Sequence, residues 1–177
     1  MADTTLYPPE EIRLDVGCGT RKKEGYIGID KTKYDGVDIV LDCRFNKLPY
    51  EDESIDEIRT SHFLEHLTFE EVLFMMNEFY RILKPNKQLD VIVPHGFSYS
   101  GMADLSHKTF WTEDTFGYFS PDNLYFYEWE FEYKGKKTPI INKWRVLSND
   151  TTPPVEYTKQ GWVELKAREI HAILEKI

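Results

Sequence analysis

The sequence predicts an α/β fold: a mostly parallel sheet with a C-terminal antiparallel hairpin and a shortened first helix. Three observations predict it. Short apolar runs recur early, and each stops on glycine or an acidic residue: Ile12 to Val16 before Gly17-Cys18-Gly19, Tyr26 to Ile29 before Asp30, and Val37 to Leu41 before Asp42. A capped amphipathic helix follows. Late in the chain, Tyr125, Tyr127, Trp129, Phe131 and Tyr133 alternate with Phe126, Glu128, Glu130 and Glu132, the period of a strand with two different faces.

The elements follow in order. Residues 1–10 are a polar arm ending in Pro8-Pro9. Residues 17–25 leave nine positions between the first two strands, fewer than the dozen or so a parallel crossover takes. The first helix is therefore a single turn or absent. A fourth strand runs from Ile55 to Thr60 into Ser61-His62. Thr68 and Glu71 form a capping box, each side chain satisfying the other's free amide. Phe69, Val72, Leu73, Met76, Phe79, Tyr80 and Leu83 then make one apolar face. Lys84-Pro85 stops that helix, and Leu89 to Val93 is a fifth strand ending at Pro94-His95-Gly96. Residues 96–123 read as loop with a short helix starting at Thr112. The hairpin spans 124–134 and 140–148 around Lys134-Gly135-Lys136-Lys137, giving seven strands. Asn149 to Pro154 is a linker, and Gln160 to Ile177 reads as an amphipathic helix carrying Trp162, Leu165, Ile170, Ile173, Leu174 and Ile177.

Composition excludes several classes. The 177 residues suit one domain, 1–177, and 41% hydrophobic with 15% aromatic residues supply a core. No stretch approaches a membrane span, and the N-terminus lacks a signal peptide's basic and apolar regions. Cys18 and Cys43 form neither a disulfide framework nor a C-x-x-C motif. A reduced, cytoplasmic protein with no membrane partner is expected. The net charge of −9 argues against a phosphate-neutralising surface.

The glycine turn carries the first chemical signal. Glycines at a strand end let backbone approach a ligand that any Cβ would exclude, and ligands of open α/β sheets sit at the carboxyl ends of the strands. A carboxylate ending the second strand, here Asp30, is the residue type that binds two ribose hydroxyls.

Five segments then resemble a family, in order and at workable spacing: Asp15-Val-Gly-Cys-Gly19; Gly28-Ile-Asp30; Asp42 followed by Leu48-Pro49-Tyr50-Glu51-Asp52-Glu53-Ser54-Ile55-Asp56; Ser61-His-Phe-Leu-Glu-His-Leu67; and Phe79-Tyr-Arg-Ile-Leu-Lys-Pro85. They look like the motifs of class I S-adenosylmethionine-dependent methyltransferases. The likeness covers about residues 11–95 and continues weakly through Ser106 to Thr112. It implies a Rossmann-like sheet, a cofactor-binding core at 11–95 and an acceptor side at 96–177, in a small, reduced member of the family. It also implies S-adenosylmethionine as cofactor, with Gly17, Cys18 and Gly19 around its methionine part, Asp30 on the ribose and Asp42 at the adenine amino group. Asp15 would orient the loop or help hold the amino group. Cys43, Ser61 and His62 complete the implied cofactor-binding set.

His62-Phe63-Leu64-Glu65-His66 places three polar side chains at i, i+3, i+4 spacing, one face if the segment is helical. Three readings stay open. His66 is a general base; or His62, Glu65, His66 and His107 form a shell resembling that of the small-RNA terminal methyltransferases, with His at position 62 where those carry Glu; or the string caps and packs. Methyl transfer as read here requires no metal. His107, in His107-Lys108-Thr109-Phe110-Trp111, is read as substrate contact or proton acceptor, against a loop anchored by Phe110 and Trp111. His95 is a weaker candidate of the same kind, and His171 a solvent-facing one. Cys18 packs, because methyl transfer needs no protein nucleophile.

The expected acceptor is a small molecule or glycan, methylated on oxygen or nitrogen. Dense basic groups occur only at Arg21-Lys22-Lys23 and around Lys134 to Lys137, which ranks nucleic acid lower. A non-catalytic interaction module, with the aromatic strand as its interface, is the alternative; otherwise the aromatic face is read as sheet core, ahead of acceptor cover or homodimer surface. A nicotinamide oxidoreductase would want a third glycine opening a full helix, where this chain has Arg21-Lys22-Lys23.

Overall fold

Strand order reverses within the main sheet, and that reversal positions the site. The computed structural model describes residues 11–44, 46–121, 130–133, 136–139, 143–152, 156–157, 163–164 and 169–177. The main sheet holds β1 (Arg13–Val16), β2 (Ile27–Asp30), β3 (Ile39–Val40), β4 (Ile55–Ser61), β5 (Leu83–Pro94), β8 (Trp144–Thr152) and β11 (Glu169–Lys176), in the order β3-β2-β1-β4-β5-β11-β8. Strands β3 to β5 pair in parallel; β11 runs antiparallel to both β5 and β8. The chain leaves β3 at one edge and returns at β4 beside β1, which opens a crevice at their carboxyl ends. Leu14, Val16, Ile29, Ile58, Val91 and Val93 bury the sheet's centre.

The first crossover contains turns and no helix, as the short spacing requires. β3 is shorter than expected, because Gly36 (φ +90°) and a Val37 N–H to Tyr34 carbonyl bond form a turn just before it. Helix α1 (Phe69–Ile82) has the capping box: Glu71 N–H donates to Thr68 Oγ1 at 3.3 Å, and Thr68 N–H to Glu71 Oε2 at 2.8 Å. Val72, Leu73, Met76 and Phe79 are buried as expected. Phe69 is instead 42% exposed, since the stripe overhangs the core at the helix's first turn. A five-residue helix α2 (Tyr99–Ala103) and a 3-10 segment (Glu113–Phe119) follow β5, the latter starting after Thr112.

The C-terminal half departs from the sequence reading. β6 (Glu130–Tyr133) pairs with β7 (Lys136–Pro139), a partner nearer than the 140–148 segment, and the two form their own small sheet. Positions 144–152 belong to the main sheet, so Asn149 to Thr152 are strand rather than linker. The final helix is a strand. Ile170, Ala172, Leu174 and Lys176 are buried at alternate positions of β11, the period of a sheet. Lys176 Nζ donates to the Leu83 carbonyl at 2.9 Å and to Glu53 Oε1 at 3.1 Å. A further two-stranded pair joins β9 (Glu156–Tyr157) to β10 (Val163–Glu164). Expectations for residues 1–10, Tyr125, Phe126, Tyr127, Glu128, Trp129, Trp162 and Leu165, for 134–135 and 153–155, and for the side chains of 130–133 lie outside the described residues. Among the described residues, no helix is long and apolar enough to cross a membrane.

Candidate active site

The glycine loop closes on itself without a helix. Gly17 N–H and Cys18 N–H both donate to the Ile29 carbonyl, at 2.8 and 3.3 Å, so the loop crosses the end of β2. Gly17 and Gly19 have φ of +73° and +52°, which side chains rarely adopt. A Cβ on Gly17 would lie 2.5 Å from the Phe63 ring, whereas one on Gly19 would meet nothing within 4 Å. Gly17 is therefore required by packing as well as by φ, and Gly19 leaves open space facing the crevice.

Two carboxylates set this loop. Asp15 is buried, accepting from Lys23 N–H at 2.8 Å and from Arg59 Nη1 at 3.1 Å. It orients the loop from behind and does not line the crevice. Asp30 accepts from Gly19 N–H at 2.9 Å and from Thr32 N–H at 2.8 Å. A carboxylate offers about four lone-pair sites, so Asp30 keeps capacity for two hydroxyl donors.

A cavity of about 480 Å³ opens beside the loop, lined by Gly17, Gly19, Arg59, Ser61, His62 and Glu169 among others. A smaller one of about 90 Å³ is lined by Asp30, Asp42, Cys43, Phe63 and His66. Arg44 grips Asp42 with both Nε (2.9 Å) and Nη2 (2.6 Å), and these bonds hold its carboxyl below the ordinary range. The pair contributes stability that is present above the ordinary aspartate pKa of ~3.9 and lost as pH falls through the lowered value. Carbon-detected NMR is expected to show Asp42 titrating below that value, and Arg44→Gln to move it up; an unmoved midpoint would dismiss the pair.

The histidine string is not a helix. His62 has φ +54°, and only Leu64–His66 form a single 3-10 turn. The left-handed residue still turns His62 onto Glu65, with Nδ1 3.3 Å from Oε1, and Nε2 reaches Glu169 at 3.0 Å. Glu65 is the first cause of a raised His62 pKa, and Glu169 adds to it. His66 and His107 come together edge-to-face, centroids 4.9 Å apart. His62, rather than either of these, lines the larger cavity. Trp111 is buried and anchors the following loop, while Phe110 is 62% exposed, so only one of the two expected anchors holds. His95 is buried, accepting Phe97 N–H at 3.1 Å. His171 pairs with Asp90 at 2.7 Å.

The fold is similar to those of three proteins. A SAM-dependent methyltransferase from Archaeoglobus fulgidus is 18% identical at a TM-score of 0.61, with 95% of this chain and 87% of that one covered. YcgJ from Bacillus subtilis is 15% identical at 0.57, covering 94% and 92%. A SAM-dependent methyltransferase from Methanosarcina mazei is 16% identical at 0.52, covering 97% and 98%. No curated protein matches. A family model described as a methyltransferase domain matches residues 14–89, the span holding the loop, Asp30, Asp42 and the histidine string. Over that segment, less than half of its length, the chain is similar to methyltransferase domains.

The residues at the crevice fit S-adenosylmethionine, the cofactor that the resemblance implies. The crevice meets a loop that a Cβ at Gly19 would enter, and a strand-end carboxylate stands beside it with acceptor capacity left. With no helix behind the loop, the row of free N–H groups that grips a pyrophosphate is missing, which suits a cofactor without phosphate. Burial pushes the Cys18 thiol up to about 11 and the Cys43 thiol up to about 12. Both stay neutral near pH 7, in keeping with packing. The fold also places Tyr34, Arg59, Ile92 and Glu169 at the larger cavity, none of them singled out from sequence. Arg59 had a signal: it is the register partner of Asp15 across β1 and β4. Glu169 had none, since its strand was read as helix.

Proposed function

We propose that this chain is an S-adenosylmethionine-dependent methyltransferase acting on an oxygen or nitrogen of a small-molecule or carbohydrate acceptor. The observation that supports this is the larger cavity: about 480 Å³, with glycine backbone and a few polar side chains in its lining, within the ~300–1,000 Å³ of small-ligand sites. A nucleic-acid groove would want a run of unpaired cations; Arg59 is held by Asp15. Just past β5, Phe97, Tyr99 and Phe110 expose their rings, offering flat apolar faces of the kind a sugar ring can lie against.

Bound at the glycine loop, S-adenosylmethionine supplies an electrophilic methyl group on a sulfonium sulfur. In this reading Gly17, Cys18 and Gly19 hold the methionine end with Ser61 and His62, Asp30 the ribose, and Asp42 and Cys43 the adenine side. Asp15 acts through the loop it orients. The chain's contribution to rate is placement of two bound reactants, worth up to ~7–11 kcal/mol. For a hydroxyl acceptor, the proton is lost beside the His66–His107 pair.

Calorimetry with S-adenosylmethionine and its demethylated product, then label transfer into fractionated lysate, tests the reading. Label in sugars or small metabolites supports it; label confined to nucleic acid or protein overturns the acceptor class. His66→Ala is expected to lower turnover by roughly 10²–10⁴ with cofactor affinity unchanged. Unaltered turnover per folded molecule would reduce His66 to packing.

A further inference from the structure

Glu65 has no ordinary explanation. It is 1% exposed, and neither carboxylate oxygen has a hydrogen-bond partner. Leaving a buried carboxylate without such bonds costs several kcal/mol, on the order of a full desolvation penalty. The histidines near it stand at ion-pair distance only: His62 Nδ1 at 3.3 Å and His66 Nε2 at 4.0 Å.

Two imidazoles are presented to the same spot. His107 Nδ1 lies 2.9 Å from the Gly101 carbonyl, which assigns its proton there and leaves Nε2 a lone pair. His66 Nδ1 lies 3.1 Å from Ser106 Oγ and 3.4 Å from the Ser106 carbonyl, which selects the same tautomer. Ser106 is itself fixed, its N–H and Oγ both donating to Asp104 Oδ1 at 2.8 and 2.6 Å. Lys108 and Thr109 N–H groups donate to the Glu65 carbonyl at 2.7 and 3.2 Å, tying the His107 loop to Glu65. One ligand atom each from Glu65, His66 and His107 falls within 4.8 Å of the others.

We propose that Glu65, His66 and His107 form a binding site for a divalent first-row transition-metal ion such as Zn²⁺. Two imidazoles and one carboxylate make a borderline N/O donor set, which favours such ions over Mg²⁺ or Ca²⁺. Both imidazoles have the outer hydrogen bond that metal-ligating histidines use to fix tautomer and ring orientation. The ion also answers the unpartnered Glu65 oxygens. Three protein ligands leave a coordination position open, and Asp104 Oδ2, 3.7 Å from His107 Nε2, stands at its rim. His62 is outside the set, engaged with Glu65 and Glu169. The catalytic consequence rests on the methyltransferase reading above: an ion with an open position favours ionisation of a bound hydroxyl. The site itself does not depend on that reading.

The full chain, stripped by chelation, is titrated with Zn²⁺ against a chromophoric chelator and with Co²⁺ by visible absorption. One ion per chain is expected. Glu65→Gln, His66→Ala and His107→Ala should each weaken Zn²⁺ binding by about 100-fold or more, beyond the ~10–100-fold cost of losing an outer partner. His171→Ala, at a histidine on β11 outside the cluster, should leave affinity unchanged. If Glu65→Gln fails to fold, His66→Ala carries the comparison, its side chain being 37% exposed. Equal affinity of the wild type and the His66→Ala protein would overturn the site. Metal binding without methyl transfer would count against the functional reading and leave the site standing; transfer without metal binding would do the reverse.

Discussion

Asp30→Ala is expected to weaken S-adenosylmethionine binding by about 2–4 kcal/mol, or roughly 30- to 1,000-fold. The carboxylate ends β2 and already accepts from Gly19 and Thr32 N–H groups. Its remaining lone pairs are what a vicinal diol would use, and hydrogen bonds to charged groups are worth ~1.5–3 kcal/mol each before non-additivity. Alanine also frees Gly19 N–H, loosening the loop on the cofactor's other side. The side chain is only half-buried and packs little, so the urea midpoint should move much less than the affinity. Calorimetry on the folded variant checks this. Unchanged affinity would mean that the ribose is held elsewhere.

Gly17→Ala is expected to cost about 2–6 kcal/mol of stability and to abolish cofactor binding in whatever folds. Two separate penalties combine. The +73° φ strains a non-glycine residue by ~1–3 kcal/mol. The new methyl would also start 2.5 Å from Phe63, an overpacking of ~1–3 kcal/mol. A double-mutant cycle with Phe63→Gly separates them, because removing both the ring and the Cβ of Phe63 relieves the overlap and leaves the strain. Gly19→Ala makes the contrast: its methyl meets no protein atom within 4 Å, so affinity should suffer more than stability. A Gly17→Ala protein as stable as the wild type would contradict the loop described here.

Local chemistry explains what was legible from sequence. The first three strands run into glycine or a carboxylate because the crevice needs backbone and charge there, and Thr68 with Glu71 marks the helix start through two reciprocal bonds. These signals lie within a few residues of each other. The tail is different. Ile170, Ile173, Leu174 and Ile177 fit a helix at i, i+3, i+4, i+7, while Ile170, Ala172 and Leu174 fit a strand. Only the unpaired edge of β5, some eighty positions earlier, decides between them, and no local pattern carries that. The same miss hid Glu169. The histidine string was read as one helical face, and its side chains do converge, but through a left-handed His62 that spacing alone could not announce.

The insertion of β11 between β5 and β8 has a consequence for how the fold comes into being. Ribosomal synthesis delivers β5 long before the strand that covers its edge. Until residues 169–176 emerge, the long β5 presents an open row of N–H and C=O groups, a template for pairing with other chains. A chain stopped before Glu169 would lose the covered edge and one wall of the larger cavity together. A nascent or proteolytically clipped chain would therefore have an open β5 edge and an incomplete cavity at once.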